Sequence, residues 1–67
     1  MDDTAVNAAI AKFLRSISAS AQREIEKAVR QAAAAGKVAE GETLTIGATL
    51  TNETLALDIT IFNKIEL

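Results

Sequence analysis

The chain has 67 residues, a hydrophobic content of 49% and a net charge of −2 at neutral pH, and it contains no cysteine and no histidine. A chain of this length forms one domain and buries only about 60% of the surface that its unfolded form exposes, so we expect a small core. The absence of cysteine excludes disulfides, and the absence of both residue types nearly excludes a structural zinc site; no cofactor is expected. Association with a second copy is the remaining means of stabilising such a core.

The first predicted element is a helix over residues 4–18. Its large apolar residues are spaced by three and four positions, which places them on one side of a helix. They are Val6, Ile10, Phe13, Leu14 and Ile17. Asp2, Asp3 and Thr4 offer side-chain oxygens that can cap the first turn.

A second helix is predicted over residues 20–35. Its apolar stripe consists of Ala21, Ile25, Ala28, Val29 and Ala32, and Gly36 followed by Lys37 ends it. Ser16, Ser18 and Ser20 favour a break before it, because serine hydroxyls compete for backbone hydrogen bonds, and Ser20 would be the second N-cap. A single helix from Thr4 to Ala35 satisfies the same spacing. At about 48 Å it would overhang strands of about 27 Å and would need a partner to cover it.

After Glu42 apolar and polar residues alternate, which predicts strands over residues 43–50 and 55–62. The predicted pairs are Leu50 with Leu55, Ala48 with Leu57, Ile46 with Ile59, and Leu44 with Ile61. One face of this hairpin is then apolar throughout, which fixes the register, and the other face is rich in threonine.

The final segment, IFNKIEL, predicts a second hairpin. A three-residue loop of Phe62, Asn63 and Lys64 pairs Ile61 with Ile65, whereas a two-residue loop would place Glu66 on the apolar face. The third strand covers residues 65–67. The sequence therefore predicts a single α+β domain over residues 1–67, with two N-terminal helices packed on one face of a three-stranded antiparallel meander (ααβββ).

The stretch KFLRSISASAQREIEKAVRQAAAAGKV, the alternating strands and the IEL ending resemble a family of short bacterial proteins of unknown function. The most specific part of the resemblance is QREIEKAVR, residues 22–30. Members of that family usually have Gly in place of Ser18 and Thr in place of Ser20, which favours the helix break. They also tend to have Gly in place of Lys64. The resemblance supports the fold and implies no activity, ligand or catalytic residue.

The residue types argue against an enzyme. His, Cys, Tyr and Trp are absent, so the usual proton shuttle and the best nucleophile are missing, and the three glycines do not form a phosphate-binding loop. No catalytic or metal-binding residue is predicted. Asp58 and Glu66 are the nearest approach to a carboxylate pair, and the polar face of an open sheet accounts for both. Gly47 would lie across from Asp58, where a bulge is the common reason for a glycine.

Basic residues form a candidate face for nucleic acid or for a protein partner. They are Lys12, Arg15, Arg23, Lys27, Arg30 and Lys37. Residues 4–37 hold six basic and two acidic residues, net +4, and residues 38–67 hold one basic and five acidic, net −4. Nucleic-acid binding is the alternative function, but Glu26 can pair with Arg30 and Glu24 with Lys27, and any surface helix shows a charged outer face.

The favoured function is that of a non-catalytic module that associates with itself or with another protein. A homodimer would form through a helix face or through a sheet edge, either Leu44–Leu50 or Ile65–Leu67. The segregated charge would also let the helices of one molecule meet the sheet of another. The chain opens without a targeting segment and has no apolar run of membrane-spanning length, so a cytoplasmic location and no membrane partner are expected.

Overall fold

The computed structural model describes all of residues 1–67, and the chain divides into two units, residues 1–37 and residues 38–67, which are described one at a time. The first unit contains one helix, α1 (Asp3–Ala34), and the second contains two strands, β1 (Thr43–Asn52) and β2 (Leu57–Glu66). The protein therefore has one helix followed by two strands, an α+β fold with the element order αββ. The predicted pair of helices and the predicted three-stranded meander are both wrong.

The helix α1 begins at a side-chain cap. Asp2 has an extended backbone, and its carboxylate accepts hydrogen bonds from the backbone N–H groups of Thr4, at 2.9 Å, and Ala5, at 3.4 Å. Asp3 follows in the first turn, where negative charge interacts favourably with the helix dipole. The acidic start seen in the sequence thus fixes the N-terminus, with Asp2 as the cap.

The predicted break near Ser20 does not occur, because the serines are accommodated within the helix. The Ser16 hydroxyl donates to the carbonyl of Phe13 at 2.7 Å, so it bonds back along the same helix. The Ser20 hydroxyl accepts from the Arg23 guanidinium at 3.2 Å instead of capping a new N-terminus. The predicted helices over residues 4–18 and 20–35 are one helix of 32 residues.

The end of α1 is the glycine stop that the sequence predicts. Gly36 has a φ of +73°, a conformation that glycine adopts without strain. The Lys37 N–H donates to the carbonyl of Ala32 at 2.9 Å, and the Gly36 N–H donates to that of Ala33 at 3.0 Å. This pair of hydrogen bonds satisfies the last carbonyls of the helix and turns the chain out of it.

The two strands pair antiparallel in a register that differs from the predicted one. Leu50 lies opposite Ile59, and Leu44 opposite Ile65, where the sequence predicted Leu55 and Ile61. The partner of each β1 residue is displaced by four positions. Because four is an even number, the apolar residues stay on the same face, except Leu55, which lies in the loop, and the alternation could not distinguish the two registers.

The position of the loop between β1 and β2 explains why the register is displaced by four residues. It covers residues 53–56, two positions later than predicted, and is closed by a hydrogen bond of 3.0 Å from the Ala56 N–H to the Glu53 carbonyl. The Asn52 side chain accepts from the Leu55 N–H at 3.0 Å, and Ala56 has a φ of +50°. Asparagine commonly starts such turns through its side chain, so Asn52 sets the loop.

The predicted third strand is also wrong, because β2 continues through Phe62, Asn63 and Lys64. A three-residue loop and a continuous strand both leave Ile61 and Ile65 on the same face, so apolar spacing favours neither. Continuation adds four residues of pairing to β1, from Asn63 opposite Ile46 to Glu66 opposite Thr43. It places Asn63 on the apolar face and removes the left-handed conformation that the loop would have required of Lys64.

No side chain of the chain is buried. The four large apolar residues along the first half of α1 are between 37% and 52% exposed, and Ile59 and Ile61 of β2 are 46% and 52% exposed. A single helix and a two-stranded sheet are each one layer thick, and neither has an interior of its own. Although α1 is long, no part of it is apolar enough to cross a membrane.

Candidate functional site

The continuous helix brings most of the predicted basic face onto one side of α1. At 100° per residue, Lys12, Arg15, Arg23, Lys27 and Arg30 fall within an arc of about 120° opposite the apolar stripe and span about 27 Å along the axis. Lys37 does not belong to this face, because the chain leaves the helix at Gly36. The basic face is therefore these five residues of α1.

Two of the five basic groups already bind neighbours on the helix. The Arg30 guanidinium donates to the Glu26 carboxylate at 2.6 Å, as the sequence predicts, and Arg23 donates to Ser20 at 3.2 Å. The Arg30 and Glu26 side chains are 78% and 52% exposed, so solvent weakens their attraction. The predicted pair of Glu24 and Lys27 makes no ion pair. The face carries a net positive charge that is solvated and only partly neutralised.

The carboxylates of the threonine-rich face do not form a pair. Asp58 and Glu66 lie on the same face of β2, but eight residues separate them along the strand, which is about 26 Å. Asp58 lies opposite Thr51, and Glu66 lies opposite Thr43. No group of three or more acidic side chains is placed to hold a metal ion.

A close contact on this face involves Gly47 and Phe62. They lie directly opposite each other, and the Phe62 ring covers the glycine: a Cβ built on Gly47 would be only 2.8 Å from Cε1 of the ring. The predicted neighbour of Gly47, Asp58, is four positions away along β2. The glycine is thus explained by the ring that lies over it, an arrangement known to stabilise glycine in sheets.

The outer edge of β1 is a feature that the sequence interpretation located only approximately, as Leu44–Leu50. The sheet has two strands, so each strand keeps one outer row of backbone N–H and C=O groups without a strand partner. The signal was available in the sequence, since TLTIGATLTN, residues 43–52, contains no charged residue and no proline. Such a strand has no feature that opposes pairing at its edge.

One comparison assigns a family. The model of a family of unknown function, DUF6494, matches residues 1–67, which is every residue of the sequence. The chain belongs to DUF6494. The resemblance to a family of unknown function is thereby confirmed, and a helix followed by a hairpin is consistent with it. No curated protein and no solved structure matches this member of DUF6494.

Proposed function

We propose that this protein is a non-catalytic interaction module that works as a homodimer. The observation that carries the proposal is that neither unit has an interior of its own, since one is a single helix and the other a two-stranded sheet. Chains of this size that lack a sufficient core are held together by disulfides, by a metal or by a partner chain. The sequence contains no cysteine or histidine, and no cluster of acidic residues could hold a metal. A partner chain is the means that remains.

The dimensions of the elements support the same proposal. The 32 residues of α1 extend over about 48 Å, and the ten residues of each strand over about 34 Å. A single strand of this chain is therefore too short to cover the apolar stripe of α1 from end to end. An isolated two-stranded hairpin is also marginally stable in water. A second copy is the simplest partner, because most soluble oligomers are symmetric and the twofold dimer is the commonest.

Sedimentation equilibrium at micromolar concentration tests this proposal. The expected mass is about 14 kDa, twice the 7.0 kDa of one chain. A mass of 7.0 kDa at all concentrations up to the millimolar range would overturn it. The measurement needs no variant and no assumption about which surface forms the contact, so it tests self-association alone.

A second candidate function is weak binding of nucleic acid, which the continuity of α1 favours. One unbroken helix aligns five basic side chains along about 27 Å, which suits the regular spacing of backbone phosphates. The candidate predicts that the protein is retained on heparin and that replacing Arg23, Lys27 and Arg30 together by Ala removes the retention. Lys37→Ala, which lies outside the face, is the matched control. Equal retention of the triple variant and the wild type would exclude this function.

A further inference from the structure

The hydrogen bonding of the hairpin determines which backbone groups of β1 face outward. The Leu67 N–H donates to the Glu42 carbonyl at 2.8 Å, so the carbonyl of residue 42 points toward the strand that contains β2. In an antiparallel pair this direction alternates along the strand. The even-numbered residues of β1 therefore bond to β2, and the odd-numbered ones direct their N–H and C=O groups outward. The outward row is Thr43, Thr45, Gly47, Thr49 and Thr51.

The outer edges of the two strands differ in charge. By the same alternation the outward row of β2 is Asp58, Thr60, Phe62, Lys64 and Glu66. Three of these side chains are charged, and charged side chains are one way in which natural sheets protect an edge from further pairing. The outward row of β1 contains only threonine and glycine. The edge of β1 is therefore the one suited to accept another strand.

The sequence of β1 is nearly the same when read in either direction. Around Gly47 it runs Thr, Leu, Thr, Ile on one side and Ala, Thr, Leu, Thr on the other. If two copies pair antiparallel with Gly47 at the twofold axis, Thr45 meets Thr49 of the second copy, Thr43 meets Thr51, and Leu44 meets Leu50. Only Ile46 meets a different residue type, Ala48. A strand with this symmetry is complementary to itself.

We propose that β1 pairs antiparallel with β1 of a second copy around Gly47, forming a continuous four-stranded sheet in the order β2, β1, β1, β2. The inference rests on the proposed function and names the surface through which the dimer forms. The five outward residues of each copy would form about ten backbone hydrogen bonds, the number found in an ordinary specific interface. An unrelated extended peptide would form the backbone bonds but lack the matched side-chain rows.

Contacts already present in the hairpin show how the side-chain rows would pack. The Thr49 and Thr60 hydroxyls, opposite each other on β1 and β2, are hydrogen bonded at 3.0 Å. The Thr45–Thr49 pairs between copies would extend this row across the twofold axis, and opposed threonines stabilise sheets. On the other face, Leu44 and Leu50 of the two copies would join the two apolar faces into one.

The position of Phe62 fits the same register. Its ring lies over Gly47 and is 69% exposed. In the proposed dimer the two Gly47 residues form a hydrogen-bonded pair, whose Cα atoms are about 5.5 Å apart. The two rings would then approach each other above a pair of residues without side chains. The glycine thus leaves room for an aromatic contact between copies.

Two proline variants test which edge pairs. Thr49→Pro removes an outward N–H from β1, and Thr60→Pro removes an outward N–H from the directly opposite position on β2. Both variants keep the hydrogen bonds between β1 and β2 and lose the same Thr49–Thr60 hydroxyl bond. We expect Thr49→Pro to raise the dimer dissociation constant at least tenfold and Thr60→Pro to change it less than threefold, by sedimentation equilibrium.

The outcomes separate the two proposals. If the wild type and Thr49→Pro are dimeric and Thr60→Pro is monomeric, the interface lies at the edge of β2. This result would overturn the inference but not the proposed self-association. If Thr49→Pro and Thr60→Pro are both dimeric, the interface lies away from the sheet edges, and the inference is again overturned while self-association stands. A monomeric wild type would overturn both the inference and the proposed function.

Cysteine cross-linking tests the register without relying on a loss of binding. The chain has no cysteine, so Thr45→Cys and Thr49→Cys each introduce a single thiol. An oxidised mixture of the two variants should form a disulfide between residues 45 and 49 of different copies, because opposed residues lie within disulfide reach. Either variant alone should not, since identical positions would be about 13 Å apart along the sheet. Equal cross-linking in all three samples, or in none, would overturn the register.

Discussion

At the scale of single residues, Gly47 and Phe62 determine much of what is specific about the hairpin. The glycine has no positive φ, so its backbone does not require a glycine. What requires it is the ring of Phe62, with Cε1 and Cδ1 at 2.8 and 3.1 Å from the place of a Cβ. The contact follows from the register, which apolar spacing alone does not give, and for this reason the sequence predicted a different neighbour.

This contact predicts that the effect of Gly47→Ala depends on Phe62. With Phe62 present, the new methyl group displaces the ring, which offsets the gain from a less flexible unfolded chain. In a Phe62→Ala background the remaining close contact of the new methyl group is with Cγ2 of Thr60 at 3.3 Å, and the substitution should raise the free energy of unfolding by up to about 1 kcal/mol. Urea unfolding of the four proteins in this cycle, at one protein concentration, measures the coupling. The same change in both backgrounds would show that the ring does not rest on the glycine.

At the scale of elements, α1 was predictable in extent but not in continuity. The cap at Asp2 and the stop at Gly36 were visible in the sequence, because both ends depend on residues next to them in the chain. The middle was ambiguous, because serine side chains can either cap a new helix or bond within an existing one. The spacing of Ile17, Ala21 and Ile25 continued across the serines, and it was the better guide.

The continuity of α1 can be tested by comparing two cap candidates. Asp2→Ala removes a cap that accepts two backbone hydrogen bonds and should lower the free energy of unfolding by about 1 kcal/mol. Ser20→Ala should cause no such loss, because its hydroxyl caps no backbone group and alanine favours helix more than serine does. Circular dichroism with urea unfolding measures both. A loss for Ser20→Ala as large as that for Asp2→Ala would restore a second helix beginning at Ser20.

The hairpin shows which features of a sheet the spacing of apolar residues predicts and which it does not. The faces of residues 44–50 and 57–61 were predicted correctly because side chains alternate with a period of two, and any even displacement preserves them. Its register and its number of strands were not, because Asn52 sets the loop through a side-chain hydrogen bond, and the spacing of Ile61 and Ile65 suits a loop as well as a strand. Of the candidate basic residues, five share a face of α1, and Lys37 lies beyond its end.

At the scale of the whole molecule, the segregation of charge allows two modes of association to be distinguished. If the positive helix of one copy met the negative hairpin of another, added salt would weaken the dimer. Pairing through β1 instead brings together residues 38–67 of the two copies, each segment with a net charge of −4, so added salt should strengthen it. Sedimentation at low and at high ionic strength gives the sign of this dependence.

The same geometry predicts that one substitution tightens the dimer. In the proposed register Glu42 of one copy lies opposite Asn52 of the other, which brings the next residue, Glu53, close to Glu42 at each end of the interface. Their side chains point to opposite faces, and their like charges oppose pairing through space. Glu53→Lys replaces both repulsions by attractions and should lower the dissociation constant roughly threefold at low salt. Glu24→Lys makes the same change in net charge on α1 and is the matched control. If both variants shift the dissociation constant equally, the effect comes from net charge alone, and the two glutamates do not meet at a β1 interface.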